Sequence, residues 1–172
     1  MSAGSDGPIN IRGATASDAV RVFELIEEAK EFFRINDINM WQWGYPHFYD
    51  IADDVSSGNA YVLEEDGTVM GYIFITFGEE EFHNTLKGEW ADDRPAVFHR
   101  LVVDAAAKRS GIGTSLIAFA EDVAKSEGCT SIRTETDETN IPMRRLLSKM
   151  GYSERGVLTF DGRDKLGFEK HL

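Results

Sequence analysis

The sequence predicts a mixed α/β domain, with a mostly antiparallel central sheet of about seven strands flanked by about four helices. Three observations carry that expectation. An apolar strand at residues 97–103 runs into the glycine-bearing turn Lys108-Arg109-Ser110-Gly111-Ile112-Gly113-Thr114. An amphipathic helix follows, with Ile112, Leu116, Phe119, Ala120 and Val123 along one side. Asp66-Gly67 separates two strand-like runs, and Asp161-Gly162-Arg163 separates two more, which are the signatures of hairpins.

In order, residues 9–12 read as a first strand. Thr15-Ala16-Ser17-Asp18 then starts a helix carrying Val20, Phe23, Leu25, Ile26 and Ala29. A second helix holds Phe48, Ile51, Ala52 and Val55 and stops at Ser57-Gly58-Asn59. Between the two lies Met40-Trp41-Gln42-Trp43-Gly44-Tyr45-Pro46, an aromatic loop that should pack down. Strands at 60–63 and 69–77 form the first hairpin. Residues 78–95 are acidic and irregular and read as an elaborated loop before the strand at 96–104. The helix at 111–127 ends at Gly128, a strand covers 131–135 and a helix covers 140–149. Strands at 152–160 and 164–170 close the chain. With no repeat or linker, residues 1–172 read as one domain with a flexible lead at 1–8.

Composition narrows the partners. The formal charge of −12 argues against nucleic acid, because a polyanion requires a clustered basic face. No apolar run approaches the roughly 20 residues needed to span a bilayer, which excludes membrane insertion. The single cysteine, Cys129, cannot form an internal disulfide, and the N-terminus has no signal-peptide pattern, so a cytoplasmic setting is expected. The carboxylate run Glu79-Glu80-Glu81 reads first as a solvated face, although it would also draw an amine.

The turn at 108–114 is the stretch with chemistry in it. Helix-start amides without intrahelical acceptors, two glycines, and the cations Lys108 and Arg109 suit a pyrophosphate. This turn and the order of elements around it resemble the GNAT superfamily of acyl-CoA N-acyltransferases. Lys108-Arg109-Ser110-Gly111-Ile112-Gly113 stands where that family has Gln/Arg-x-x-Gly-x-Gly/Ala. Asn140-Ile141-Pro142-Met143, followed by Leu146 and Gly151-Tyr152, is similar to its Asn-x-x-Ala segment leading to Gly-Phe. Lysine at 108 keeps the charge and loses the guanidinium fork.

The resemblance implies a sheet that splays between its fourth and fifth strands beside a bulge, and acetyl-CoA as the acyl donor, with no metal. Residues 108–114 (Lys108, Arg109, Ser110, Gly111, Ile112, Gly113 and Thr114) would hold the diphosphate. Leu101, Val102 and Val103 would offer main-chain groups to the pantetheine arm, and Asn140 and Met143 would border it. Trp41, Trp43 and Tyr45 would contact the acceptor, a primary amine of a small molecule or peptide. A homodimer is the default assembly. The family's tyrosine acid, seven residues after the asparagine, is replaced by Leu147. A thiol of pKa about 8.5 leaves as thiolate with little help, whereas freeing an alkylammonium of pKa about 10.4 at pH 7 costs roughly 4.6 kcal/mol. The base therefore matters more than the acid. His99, on the strand before the pantetheine segment, is the first candidate, and Glu135, ending the next strand, is the second.

Two other readings are weaker. A dinucleotide-binding oxidoreductase lacks its third glycine, which is Leu116 here, and a Walker loop is absent. A noncatalytic acyl-CoA sensor shares the same turn and differs only in releasing no thiol.

Overall fold

The computed structural model describes residues 8–107 and 110–172; residues 1–7, Lys108 and Arg109 lie outside them. The described elements are β1 (Ile9–Gly13), α1 (Ala19–Ile35), α2 (Phe48–Ser57), β2 (Ala60–Glu65), β3 (Thr68–Phe77), β4 (Lys87–Gly88), β5 (Pro95–Val103), α3 (Ile112–Ser126), β6 (Ser131–Thr136), α4 (Ile141–Lys149), β7 (Ser153–Phe160) and β8 (Arg163–His171). The strands form one eight-stranded sheet in the order β1-β2-β3-β5-β6-β8-β7-β4. The four helices and both hairpins stand where the sequence puts them.

The rung missed from sequence is β4, so the expected fourth and fifth strands are β5 and β6. Two residues cannot display an alternating pattern. Lys87 and Gly88 pair with Val157 and Gly156 of β7. A Cβ on Gly88 would lie 2.1 Å from the Arg155 carbonyl oxygen, and one on Gly156 would lie 2.1 Å from that of Lys87. Only glycine permits that approach.

The sheet has an apolar cluster on each face. Under α1 and α2 lie Val22, Leu25, Ile26, Ile51, Val62 and Val102. Under α3 and α4 lie Leu63, Ile73, Phe98, Leu116, Ile132 and Leu147. The i, i+4, i+5, i+8 spacing of Ile112, Leu116, Ile117 and Ala120 turns one stripe of α3 onto the sheet, and all four are buried. Each buried Leu or Ile there contributes about 1.5–3 kcal/mol.

Two irregularities make the cleft. β5 and β6 are parallel, joined through α3, but they pair only from Pro95↔Ser131 to Val97↔Arg133. Beyond that point the strands part. On the other edge of β5, Tyr72 and Phe74 of β3 pair with Val102 and His99, so β5 carries one extra residue in a bulge. Arg100, within it, has φ 51°. The bulge lies where the strands diverge.

Candidate active site

The start of α3 forms one end of the cleft. Gly111 is its N-cap with φ 85°, a left-handed conformation, and a Cβ there would meet nothing within 4 Å. Its conformation, not crowding, calls for glycine. A Cβ on Gly113 would lie 3.4 Å from Leu146 and 3.8 Å from Val103, ordinary contact distances that alanine could occupy. The amides of Ile112, Gly113 and Thr114 belong to the first turn, where a helix supplies no acceptor. They have no other acceptor among the described residues, and Ser110 beside them is exposed. The expected cation pair Lys108 and Arg109 lies outside the described residues.

The gap itself begins just past a single bridge. Thr134 Oγ1 of β6 donates to the Phe98 carbonyl of β5 at 3.0 Å. Leu101 and Val103 turn their side chains toward the α3 cluster, Val102 toward the α1 cluster, and their main chain has no β6 partner.

Across the gap the two candidate bases meet. His99 Nδ1 lies 3.3 Å from Glu135 Oε1, and His99 Nε2 lies 2.6 Å from Glu80 Oε1. Glu80 Oε1 also accepts from Thr76 Oγ1 at 2.5 Å. Glu135 Oε2 faces His83 Nε2 at 3.5 Å, and His83 is fully buried with no hydrogen-bond partner for Nδ1. With a carboxylate on each nitrogen, both ring atoms of His99 must donate, which defines an imidazolium. Burial opposes that charge, but Glu135 and Glu80 outweigh it and raise the pKa to about 9. Burial works against the Glu135 carboxylate too, and the two imidazoles nevertheless lower its pKa to about 2. Glu80 is likewise lowered, the His99 and Thr76 hydrogen bonds prevailing over burial.

A second polar group braces the bulge. Arg100 reaches Asp54 of α2 with Nε at 2.7 Å and Nη2 at 2.5 Å, a two-point pairing of planar ions. Its Nη1 donates to the Tyr45 hydroxyl at 2.5 Å, and Tyr72 donates to Asp54 at 2.7 Å. Burial raises the pKa of both tyrosines, Asp54 adding to the shift at Tyr72 and Arg100 opposing it at Tyr45, so both keep their protons at neutral pH.

The other site residues expected from sequence divide. Of the three aromatics, Tyr45 is brought to the bulge through Arg100. Trp41 instead packs edge-on against Phe33 at 5.4 Å, and Trp43 lies under the Arg163 guanidinium at 3.9 Å. Asn140 caps α4, accepting from the Met143 amide at 3.4 Å, while its Nδ2 donates to Thr136 Oγ1 at 3.0 Å and Met40 Sδ at 3.2 Å. Met143 is half-buried against the α3 cluster, and Leu147 is wholly buried within it.

Sequence reasoning missed Glu80, His83, Arg100 and Asp54. Glu80 was one of three consecutive glutamates, and only the fold separates them: Glu79 binds Arg133 at 2.8 Å, Glu80 binds His99, and Glu81 is exposed. No local pattern marks the middle one.

The sheet is thus parted between two parallel strands, with helix-start amides that have no acceptor among the described residues at one end and paired ionisable groups across the gap. The chain belongs to the Acetyltransferase (GNAT) family, which it matches over residues 21–152. It is similar to the uncharacterized N-acetyltransferase YhfO of Bacillus subtilis (strain 168), with 26% identity over 149 residues, 85% of this chain and 91% of that protein. The crystal structure of a GNAT-family acetyltransferase from Streptococcus agalactiae 2603 superposes with a TM-score of 0.86 at 28% identity, covering 95% of each chain. A ribosomal-protein-alanine N-acetyltransferase from Brucella melitensis shares the fold, with a TM-score of 0.71 at 21% identity over 95% of this chain and 99% of its own. Among the described residues no helix is long and apolar enough to cross a membrane, and no cluster of three or more His, Cys, Asp and Glu could hold a metal ion.

Proposed function

We propose that this protein is a cytoplasmic enzyme that moves an acetyl group from acetyl-CoA to a primary amine of a small molecule or peptide, by direct transfer in a ternary complex. The observation that carries the reading is the gap beyond Val97 and Arg133, with the His99–Glu135 pair facing across it. The residues present fit the donor: the amides of Ile112–Thr114, which have no acceptor among the described residues, suit its diphosphate, and the main-chain edge at Leu101–Val103, which has no β6 partner, suits the amides of its pantetheine arm. Lys108, Arg109 and Ser110 would flank the diphosphate, with Asn140 and Met143 at the arm. The donor supplies an activated thioester carbon.

The remaining chemistry belongs to the chain. The amine nitrogen forms a bond to the acetyl carbon, the carbon–sulfur bond breaks, and one amine proton ends on the departing thiolate. A main-chain amide of β5 is left to take the charge that develops on the carbonyl oxygen. The acidic pair Glu80 and Glu135 draws a cationic acceptor into the cleft, where Tyr45 on the aromatic loop contacts it, with Trp41 and Trp43 further along the same loop.

Magnitudes decide between the two candidate bases. Moving a proton from an alkylammonium of pKa about 10.4 to a carboxylate held at about 2 is uphill by about 11 kcal/mol. Moving it to a neutral imidazole of pKa about 9 is uphill by about 2 kcal/mol. His99 is therefore the base, in the neutral form that about one molecule in a hundred carries at pH 7, and Glu135 and Glu80 hold its ring.

The test is release of free thiol from acetyl-CoA in the presence of polyamine, amino-acid and peptide amines. Thiol release with one acceptor class supports the reading. Acetyl-CoA binding without release across every class supports the sensor instead, which the burial of Leu147 at the family's tyrosine position favours. No heat on titration with acetyl-CoA refutes both.

A further inference from the structure

We propose that His83 is a positioning residue for the base: its Nε2–H holds one oxygen of Glu135, which keeps the other oxygen on His99 Nδ1. The inference rests on the reading of His99 as the base. Among the described residues each carboxylate oxygen of Glu135 has a single polar partner, an imidazole, with Oε2 3.5 Å from His83 Nε2 and Oε1 3.3 Å from His99 Nδ1. The last torsion of a glutamate is broad, so one partner alone would leave the carboxylate plane free to turn. Two rings on different oxygens fix it.

The ring of His83 has no other polar contact. It is fully buried, its Nδ1 has no partner among the described residues, and Phe82 and Trp90 pack on it with ring centroids 4.5 and 5.1 Å away. An apolar side chain would fill such a site without an orphaned nitrogen, which costs free energy wherever it is buried; what offsets that cost is the Glu135 carboxylate. The orphan also sets the tautomer. A proton on Nδ1 would be a buried donor with no acceptor and would turn a bare Nε2 lone pair toward an anion, so the proton sits on Nε2. In that form His83 gives a hydrogen bond to Glu135 and takes none, which makes it an anchor and not a link in a proton relay.

The fold holds the ring in place. His83 lies in the short turn Glu81–Thr85, whose N-cap is Glu80, so one turn supplies a partner to each side of the His99–Glu135 pair. The His83 carbonyl accepts from Trp90 Nε1 at 3.0 Å, and the Arg133 guanidinium lies 4.2 Å from the Trp90 ring centre. Arg133 and Glu135 share one face of β6, so this stack clamps the turn over the face that presents Glu135. The charged groups around His99 are Glu80 from the turn and Glu135 from β6; Phe74 of β3 packs against the ring, Arg100 turns to Asp54, and Tyr45 of the α1–α2 loop keeps its proton.

Nitrogen NMR of the histidine rings across pH, on the wild type, His83→Gln and His83→Leu, tests this without turnover. In the wild type at neutral pH His83 should show a protonated Nε2 and a bare Nδ1, while His99 shows both nitrogens protonated and titrates at about 9. His83→Gln places an amide N–H where Nε2–H stands and should keep the His99 midpoint, whereas His83→Leu removes the donor, frees Glu135 to turn, and should lower that midpoint by about one unit or more. A midpoint that His83→Leu leaves in place or raises overturns the proposal, as does one that His83→Gln lowers equally. So does a wild-type His83 protonated on Nδ1, a result that decides even where His83→Leu does not fold. The rising limb of kcat/KM with one accepted amine should move with the midpoint, whereas a merely structural defect would lower the plateau and leave the limb. A midpoint that moves under a fixed limb upholds the His83 contact and overturns His99 as the base. A wild type that releases no thiol overturns the transferase reading alone, since the midpoints are read without it.

Discussion

Replacing His99 by glutamine removes the cation between Glu80 and Glu135 while keeping a side chain of similar reach, and the consequence for stability can be worked out. In the unfolded chain the imidazole has its ordinary pKa of 6.5, and in the fold it is raised to about 9. That difference corresponds to about 3 kcal/mol of coupling between the charge and the fold. Because the folded value is the higher one, the stabilisation is complete below pH 6.5 and is lost as pH rises through 9. Glu135 runs the opposite way: its pKa is lowered from 4.5 to about 2, so its share is present above pH 4.5 and lost as pH falls through 2. The two describe one ion pair and are not summed. Urea unfolding at pH 6 and pH 10 reads the effect as the stability of the wild type minus that of His99→Gln, which cancels groups common to both. The gap between the proteins should shrink by about 3 kcal/mol over that interval. A gap that stays constant within about 1 kcal/mol would refute the imidazolium assignment, and with it the order of the two candidate bases.

On the proposed mechanism the same ring governs activity. With a simple amine acceptor, kcat/KM should climb with pH until His99 is neutral above about 9, and Glu80→Gln, which removes one carboxylate from the ring, should move that climb to lower pH; a flat profile would remove His99 from the chemistry. At the start of α3, Gly111→Ala forces a non-glycine residue to φ 85° and should cost about 1–2 kcal/mol, with weaker acetyl-CoA binding by calorimetry, whereas Gly113→Ala should be nearly silent. At the bulge, Asp54→Ala leaves the Arg100 guanidinium buried without its carboxylate and should destabilise by about 3–5 kcal/mol in urea unfolding, against about 1 kcal/mol for Tyr72→Phe, which removes one hydrogen bond.

Much of the fold was legible because its rules are local. The period of α3, the Asp-Gly turns and the glycine N-cap each act within a few residues, so their traces survive in a linear reading. The one strand overlooked, β4, is two residues long and held by the mutual approach of Gly88 and Gly156. The glycine turn at the start of α3 was legible for the same reason, since a helix start and its glycines are contiguous.

The ionisable cluster across the gap was not. The sequence by itself determined the order of elements, the turn at the head of α3, the family segment at Asn140, the leucine where a tyrosine usually stands, and the placing of His99 and Glu135 on adjoining strands. Only the tertiary structure decided the charge on His99. That charge comes from Glu80, 19 residues away along the chain, and from Glu135, itself facing His83 across 52 residues. It likewise decided that Tyr45 meets Arg100 and that Met40 meets Thr136, contacts spanning 55 and 96 residues. Protonation depends on which charges lie within a few ångströms and on how much water has been removed, and chain folding sets both.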